Sequence, residues 1–386
     1  MRLLVLFVVC LGLAYSQVTP QEAAEGWIAL FDGETLFGWT PEGGSKWRVV
    51  NGAIVPEEGE SGWLRHNAVF ADYALRVEYR VASADVNSGI LLRAPRTGPP
   101  ALMGYEVQIF DTHPSYPTGA LVNHLKPRRV APAPNRWRTV EIEHSGEQII
   151  VKVDGRTVLD GLDSHAAAGH IGLQYNRGHH IEFRSVRLRP LGLEPVFNGR
   201  DLAGWKEVGT PRAKEPPVWS VRDGMINVVK GPGQLETESL YRDFVLQLDV
   251  RANARDANHH PNSGVFFRGE PGGFWTGYES QIRNEFKDGD PAQPVDFGTG
   301  GVYFYQPARK VVSRDNEFFT KTIVAYGRSI NIWVNGYPVS SWEDPHPEGA
   351  VVRNKEARLG AGAISLQAHD PTTNLDFRKI VVAELP

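Results

Sequence analysis

The chain has 386 residues, 41% hydrophobic and 22% charged, with a net charge of −4. These are globular proportions and a length for two or three domains. The mildly acidic balance leaves no basic field for nucleic acid or an anionic membrane surface.

Residues 1–16 begin Met-Arg, continue as an apolar run and end Ala14-Tyr15-Ser16. A basic start, a short apolar stretch and small residues near the end predict a secretory signal peptide cut before Gln17. The run is too short to span a membrane, and no other segment is apolar enough to do so. Cys10, the single cysteine, lies inside it. The mature chain is therefore expected to carry no disulfide and no thiol nucleophile, and to be secreted or periplasmic.

Gln21 to Leu30 suggests one short helix. Strand signals follow. Tyr73, Leu75, Val77, Tyr79 and Val81 alternate with polar or small residues at period two. The run Ile149–Val153 meets Asp154-Gly155 and then a second alternating run, a β-hairpin signature. With 40 Gly and 27 Pro, many short strands joined by turns predict an all-β protein of β-sandwich or jelly-roll type.

The same landmarks then return in the same order. Leu-Phe-Asp-Gly-Glu-Thr-Leu-Phe-Gly-Trp at 30–39 is answered by Val-Phe-Asn-Gly-Arg-Asp-Leu-Ala-Gly-Trp at 196–205. Asn87-Ser88-Gly89 with Arg93 is answered by Asn262-Ser263-Gly264 with Arg268. Gly-Tyr-Glu-Val-Gln-Ile at 104–109 is answered by Gly-Tyr-Glu-Ser-Gln-Ile at 277–282. Leu173-Gln174 is answered by Leu366-Gln367, and the Asp154-Gly155 turn by Asn335-Gly336. A period of half the chain is too long for a solenoid unit. It predicts two copies of one domain, 17–191 and 192–386. The second copy carries longer insertions at 254–261, 286–312 and 344–359, where binding loops are expected at the rim of a sandwich.

If 277–285 is a strand, Glu279, Gln281, Arg283 and Glu285 share one face. Four polar side chains in a row suit the floor of a concave groove. The first copy offers Glu106, Gln108 and Phe110, with Asp111 just beyond. His369-Asp370 follows Leu366-Gln367, and a histidine there can shuttle protons. The first copy has Asn176 in that slot. Lys321 sits on an alternating run. An oxygen-ligand cation such as Ca²⁺ could sit among Glu279, Glu285, Asp288 and Asp290. The row differs from paired glycosidase carboxylates, because the residue two after Glu279 is Gln281 and not an acid. A conventional two-carboxylate glycosidase and a non-catalytic carbohydrate-binding sandwich stay open as alternatives.

These repeated motifs, taken in order, resemble the 3-keto-disaccharide hydrolase domain family across nearly the whole mature chain, twice. The resemblance implies a concanavalin-A-like jelly roll and cleavage of glycosides already oxidised at carbon 3. It also implies a separate sugar oxidoreductase that makes the ketone. Such an elimination requires a base, a donor or cation facing the enolate, and an acid. Glu279 or His369 is then a candidate base, with Arg268, Gln281 or a cation at the enolate. His369 held by Asp370 is a candidate acid. Arg283, Glu285, Gln367 and Lys321 are candidate substrate contacts, as are Arg93, Glu106, Gln108 and Asp111 in the first copy. Arg283 stands where family members of this longer type often have His. The retained His369 favours the second copy as the catalytic one.

Overall fold

The computed structural model describes residues 18–386 apart from 212, 353, 354 and 357. The expected signal peptide and Cys10 lie outside the described residues. Two antiparallel β-sandwiches follow each other along the chain, as the duplication predicts. In each, a large sheet faces a five-stranded one. The first copy's five-stranded sheet runs Trp39–Glu42, Gly62–Phe70, Gly169–Tyr175, Ser88–Ala94, Tyr105–Ile109. The second copy's runs Trp205–Val208, Gly233–Thr237, Ala363–Ala368, Ser263–Gly269, Tyr278–Ile282. The spatial order is the same, so repeated sequence lands at repeated positions.

Local chemistry explains the main elements. The strand Tyr73–Val81 alternates strictly between buried and half-buried residues. Asp154-Gly155 and Asn335-Gly336 all have positive φ (50°, 76°, 51° and 73°), as a tight primed hairpin turn requires. The short helix is Pro20–Ala24, held by a capping box in which Thr19 and Glu22 cap each other. The repeated opening motif is a turn. Asp32 Oδ1 accepts the amides of Glu34 and Thr35, and Asn198 Oδ1 accepts those of Arg200 and Asp201. Trp39 and Trp205 close it by donating to the carbonyls of Leu30 and Val196.

Phe244–Ala252 shows almost no alternation because both its faces are covered. One face meets its own sandwich. The other meets the N-terminal segment, where Gln247 Nε2 donates to the Gly26 carbonyl at 2.9 Å. Trp333 likewise leaves its own copy, donating to Ala29 O at 2.7 Å and stacking near His66. The two halves therefore share core, and Val245, Val324, Trp333 and Leu385 belong to the first copy's hydrophobic cluster. Among the described residues no helix is long and apolar enough to cross a membrane.

Candidate functional site

Cross-strand register assembles the site on the outer face of the second copy's five-stranded sheet. Gln234 pairs with Gln367, and Glu236 with Ser365. Gly264 pairs with Gln281, and Phe266 with Glu279. Residues paired in this way point to one face. Gln234, Glu236, Gln367, Gln281 and Glu279 thus form one polar floor, and all five are buried.

The Asn-Ser-Gly motif divides its work among three residues. Ser263 Oγ ties the strand to its neighbour by donating to Gln367 O at 2.7 Å, as Ser88 does to Gln174 O in the first copy. Gly264 leaves room for a carboxylate: a Cβ there would lie 2.4 Å from Glu279 Oε1. Gly89 does the same for Glu106, at 2.6 Å. Asn262 faces the groove, donating to Asp296 Oδ2 at 3.2 Å and lying 3.4 Å from His369 Nε2. Gln281 Nε2 donates to the same Asp296 carboxylate at 3.0 Å. His369 Nδ1 lies 2.9 Å from Asp370 Oδ2. That bond holds Asp370 well below the usual carboxylate range and leaves His369 Nε2 turned toward the groove. Trp275 stacks on the His369 ring at 5.5 Å and 9°. Two buried acceptors in this patch, Gln367 Oε1 and Asn262 Oδ1, have no donor among the described residues.

Several expectations are corrected. Arg268 is fully buried away from the groove, donating to Arg242 O, Gly327 O and Asp243 Oδ1. Its φ of +53° sits at a register shift in the strand, and the shift turns the side chain toward the sheet's end. Arg93, with φ +46°, makes the matching bonds to Ala71 O, Gly146 O and Asp72 Oδ1. Both arginines are structural clamps. Lys321 neither faces solvent nor lines the groove. It is fully buried between the sheets, donating to Ser280 O at 2.9 Å and Gln281 O at 2.8 Å. Burial pushes its ammonium down to about 7, partly offset by the Glu279 charge. Asp111 is held in the interior by Thr118 and Arg138.

The strand ends at Ile282, so the four-residue row does not continue as expected. Beyond it, Arg283 Nε donates to Glu285 Oε2 at 2.9 Å, so the two charges answer each other. The proposed cation cluster does not assemble. Asp290 caps its own turn through Ala292 N and Gln293 Nε2. Among the described residues, no three His, Cys, Asp or Glu side chains converge to hold a metal.

Sequence reasoning missed Gln234, Glu236, Trp275 and Asp296. Gln234-Leu235-Glu236 alternates in a way that could have marked a polar face. Trp275 and Asp296 lie on loops and give no periodic signal.

In the first copy, the same face is filled differently. Trp63 occupies the place of Gln234 and lies over Gly172, where a Cβ would come within 2.3 Å of its ring. Trp63, Leu91 and Ala94 form a small apolar cluster of their own. Glu106 and Gln108 are buried beside it, and burial pushes Glu106 up to about 7.

The family model of the 3-keto-alpha-glucoside-1,2-lyase-like domain matches residues 26–189 and again 192–383. The chain belongs to this family. It is therefore a carbohydrate-active protein built from two copies of the lyase-like domain. A search of curated proteins gives no match. Similar solved structures include two putative glycosyl hydrolases from Parabacteroides distasonis ATCC 8503. One is 19% identical at a TM-score of 0.41, covering 46% of this chain and 99% of its own. The other is 24% identical at 0.40, covering 51% and 85%. A carbohydrate-binding module, CBM66 from Bacillus subtilis, is 18% identical at 0.33, covering 39% and 95%.

Proposed function

We propose that this lyase-like protein is an exported enzyme that cleaves 3-keto-glycosides by elimination and hydration, with the second copy catalytic. One observation carries the reading. Among the described residues, only the second copy places a buried glutamate on the same face as an aspartate-held histidine, with two orphaned amide acceptors, Gln367 Oε1 and Asn262 Oδ1, beside that histidine.

A ketone at carbon 3 acidifies the hydrogen on carbon 2. Glu279 takes that proton, and the C–H electron pair becomes the enolate. The enolate collapses to a carbon 1–carbon 2 double bond as the aglycone oxygen leaves carbon 1. His369, oriented by Asp370, gives that oxygen its proton. Water then adds, its hydroxyl to carbon 1 and a proton to carbon 2. Gln367 Oε1 and Asn262 Oδ1 accept sugar hydroxyls, which satisfies groups that are costly to leave unpaired. Arg268 has no part in this scheme, because its guanidinium is spent on the sheet end. The ketone is the product of a separate sugar oxidoreductase.

A two-carboxylate glycosidase fits less well. Glu236 and Glu279 share a cross-strand row, but their backbones stand three strand spacings apart, about 14 Å. Acid and base in such enzymes lie about 5–9.5 Å apart. The deciding assay gives the protein a chromogenic 3-keto-glucoside and the matching unoxidised glucoside. Release from the ketone alone, lost in Glu279→Gln and kept in Glu106→Gln, supports the proposal. Release from the unoxidised sugar, or loss in Glu106→Gln alone, overturns it.

A further inference from the structure

A cleft of about 700 Å³ lies outside the proposed catalytic groove. It lies between the first copy's five-stranded sheet and the second copy's strand Tyr337–Glu343, with a volume typical of ligand sites, about 300–1,000 Å³. It meets the face that is the first copy's counterpart of the groove at one residue, Arg65. Arg65 pairs with Gly172, Gly172 with Leu91 and Leu91 with Glu106, so Arg65 stands in the same cross-strand row as Glu106. The matching row of the second copy holds Glu236 at that position. The duplication has therefore reversed the charge at this point of the face.

Arg65 is only 5% exposed. Its Nε donates to Glu42 Oε1 at 2.9 Å, its two terminal nitrogens make no further hydrogen bond among the described residues, and the Glu343 carboxylate across the cleft is close enough to feel its charge. That guanidinium edge lines the cleft and is an unfilled fork for a carboxylate. Beside it, His170 Nδ1 is bonded to His66 O at 2.8 Å, which leaves Nε2 as an acceptor. Burial, with the Arg65 and Arg96 charges, pushes His170 down to about 4, so the ring is neutral. It suits a hydroxyl donor. Trp342 of the second copy adds an aromatic wall, and the ion pair Arg96–Glu343 joins the two copies at the cleft.

We propose that this interdomain cleft is a second, non-catalytic binding site for a saccharide bearing a carboxylate, with Arg65 gripping the carboxylate and His170 accepting a hydroxyl. The site does not depend on which copy is catalytic. The test is calorimetric titration of the full chain with a glucuronate-containing disaccharide, the neutral glucose disaccharide of the same linkage, and inorganic sulfate. The uronate should bind at least tenfold more tightly than either comparison ligand. Arg65→Gln should abolish that preference, and Glu42→Gln, which releases the competing carboxylate, should strengthen uronate binding severalfold. Glu279→Gln should leave it unchanged. Equal binding of uronate and neutral sugar overturns the proposal, as does indifference to both Arg65→Gln and Glu42→Gln. Sulfate binding as tight as uronate reduces the cleft to a simple anion site and overturns the saccharide assignment.

Discussion

Gly264→Ala tests the geometry of the groove more sharply than removal of any charged group. Gly264 lies in a strand and has no left-handed φ, so alanine fits the backbone. The added Cβ would lie 2.4 Å from Glu279 Oε1 and 2.8 Å from its Cγ, whereas ordinary contact begins at 3.4 Å. The carboxylate must retreat by about 1 Å, and a displacement of that size costs about 10²-fold in a positioned reaction. The clash reaches Cγ of a buried side chain, so the fold should lose about 1–3 kcal/mol. The prediction is a kcat on 3-keto-glucoside lowered about 100-fold, with KM changed little and the melting temperature lowered by only a few degrees. Gly89→Ala is the matched control. It drives the same clash into Glu106, at 2.6 Å, and should leave turnover intact. Full activity in Gly264→Ala, or loss in Gly89→Ala instead, would refute the placement of catalysis on Glu279.

Three further outcomes are expected. Lys321→Met should stabilise the protein at pH 6 and lose that advantage toward pH 10. The fall from 10.5 to about 7 is a penalty of about 5 kcal/mol, carried in full below pH 7 and relieved steadily between pH 7 and pH 10.5, where the folded lysine is neutral and the unfolded one still charged. The lost carbonyl contacts offset part of it, so a difference in urea midpoints that does not change with pH would contradict this account. Glu106 is shifted the other way, from 4.5 up to about 7, so its penalty is absent below pH 4.5 and complete above pH 7. Glu106→Gln should therefore gain about 3 kcal/mol at pH 8 and nothing at pH 4, read by denaturation at the two pH values. Finally, His369→Asn, which installs the first copy's Asn176, should lower kcat by about 10²–10⁴-fold. A 3-keto-glucoside with a better leaving group should recover part of the rate, because it needs less proton donation; an equal loss on both substrates would remove His369 from the acid role.

The sequence by itself determined a good deal. Period-two alternation, Asp-Gly and Asn-Gly turns and the repeated motifs specify strands, hairpins and two equivalent sandwiches, because each depends on neighbours within a few residues. The Glu-x-Gln spacing placed Glu279 and Gln281 on one face for the same local reason. Tertiary structure decided the rest. Arg93 and Arg268 stand in the repeat like site residues, yet a register shift with positive φ turns both away to clamp the sheet ends. Lys321 alternates like a solvent-facing lysine, but the opposing sheet covers it completely. The stacking of Trp275 on His369, the filling of the first copy's groove by Trp63 and the walling of the interdomain cleft by the second copy join residues far apart in the chain. No local pattern encodes such meetings, since they arise only when two sheets and two domains close on each other.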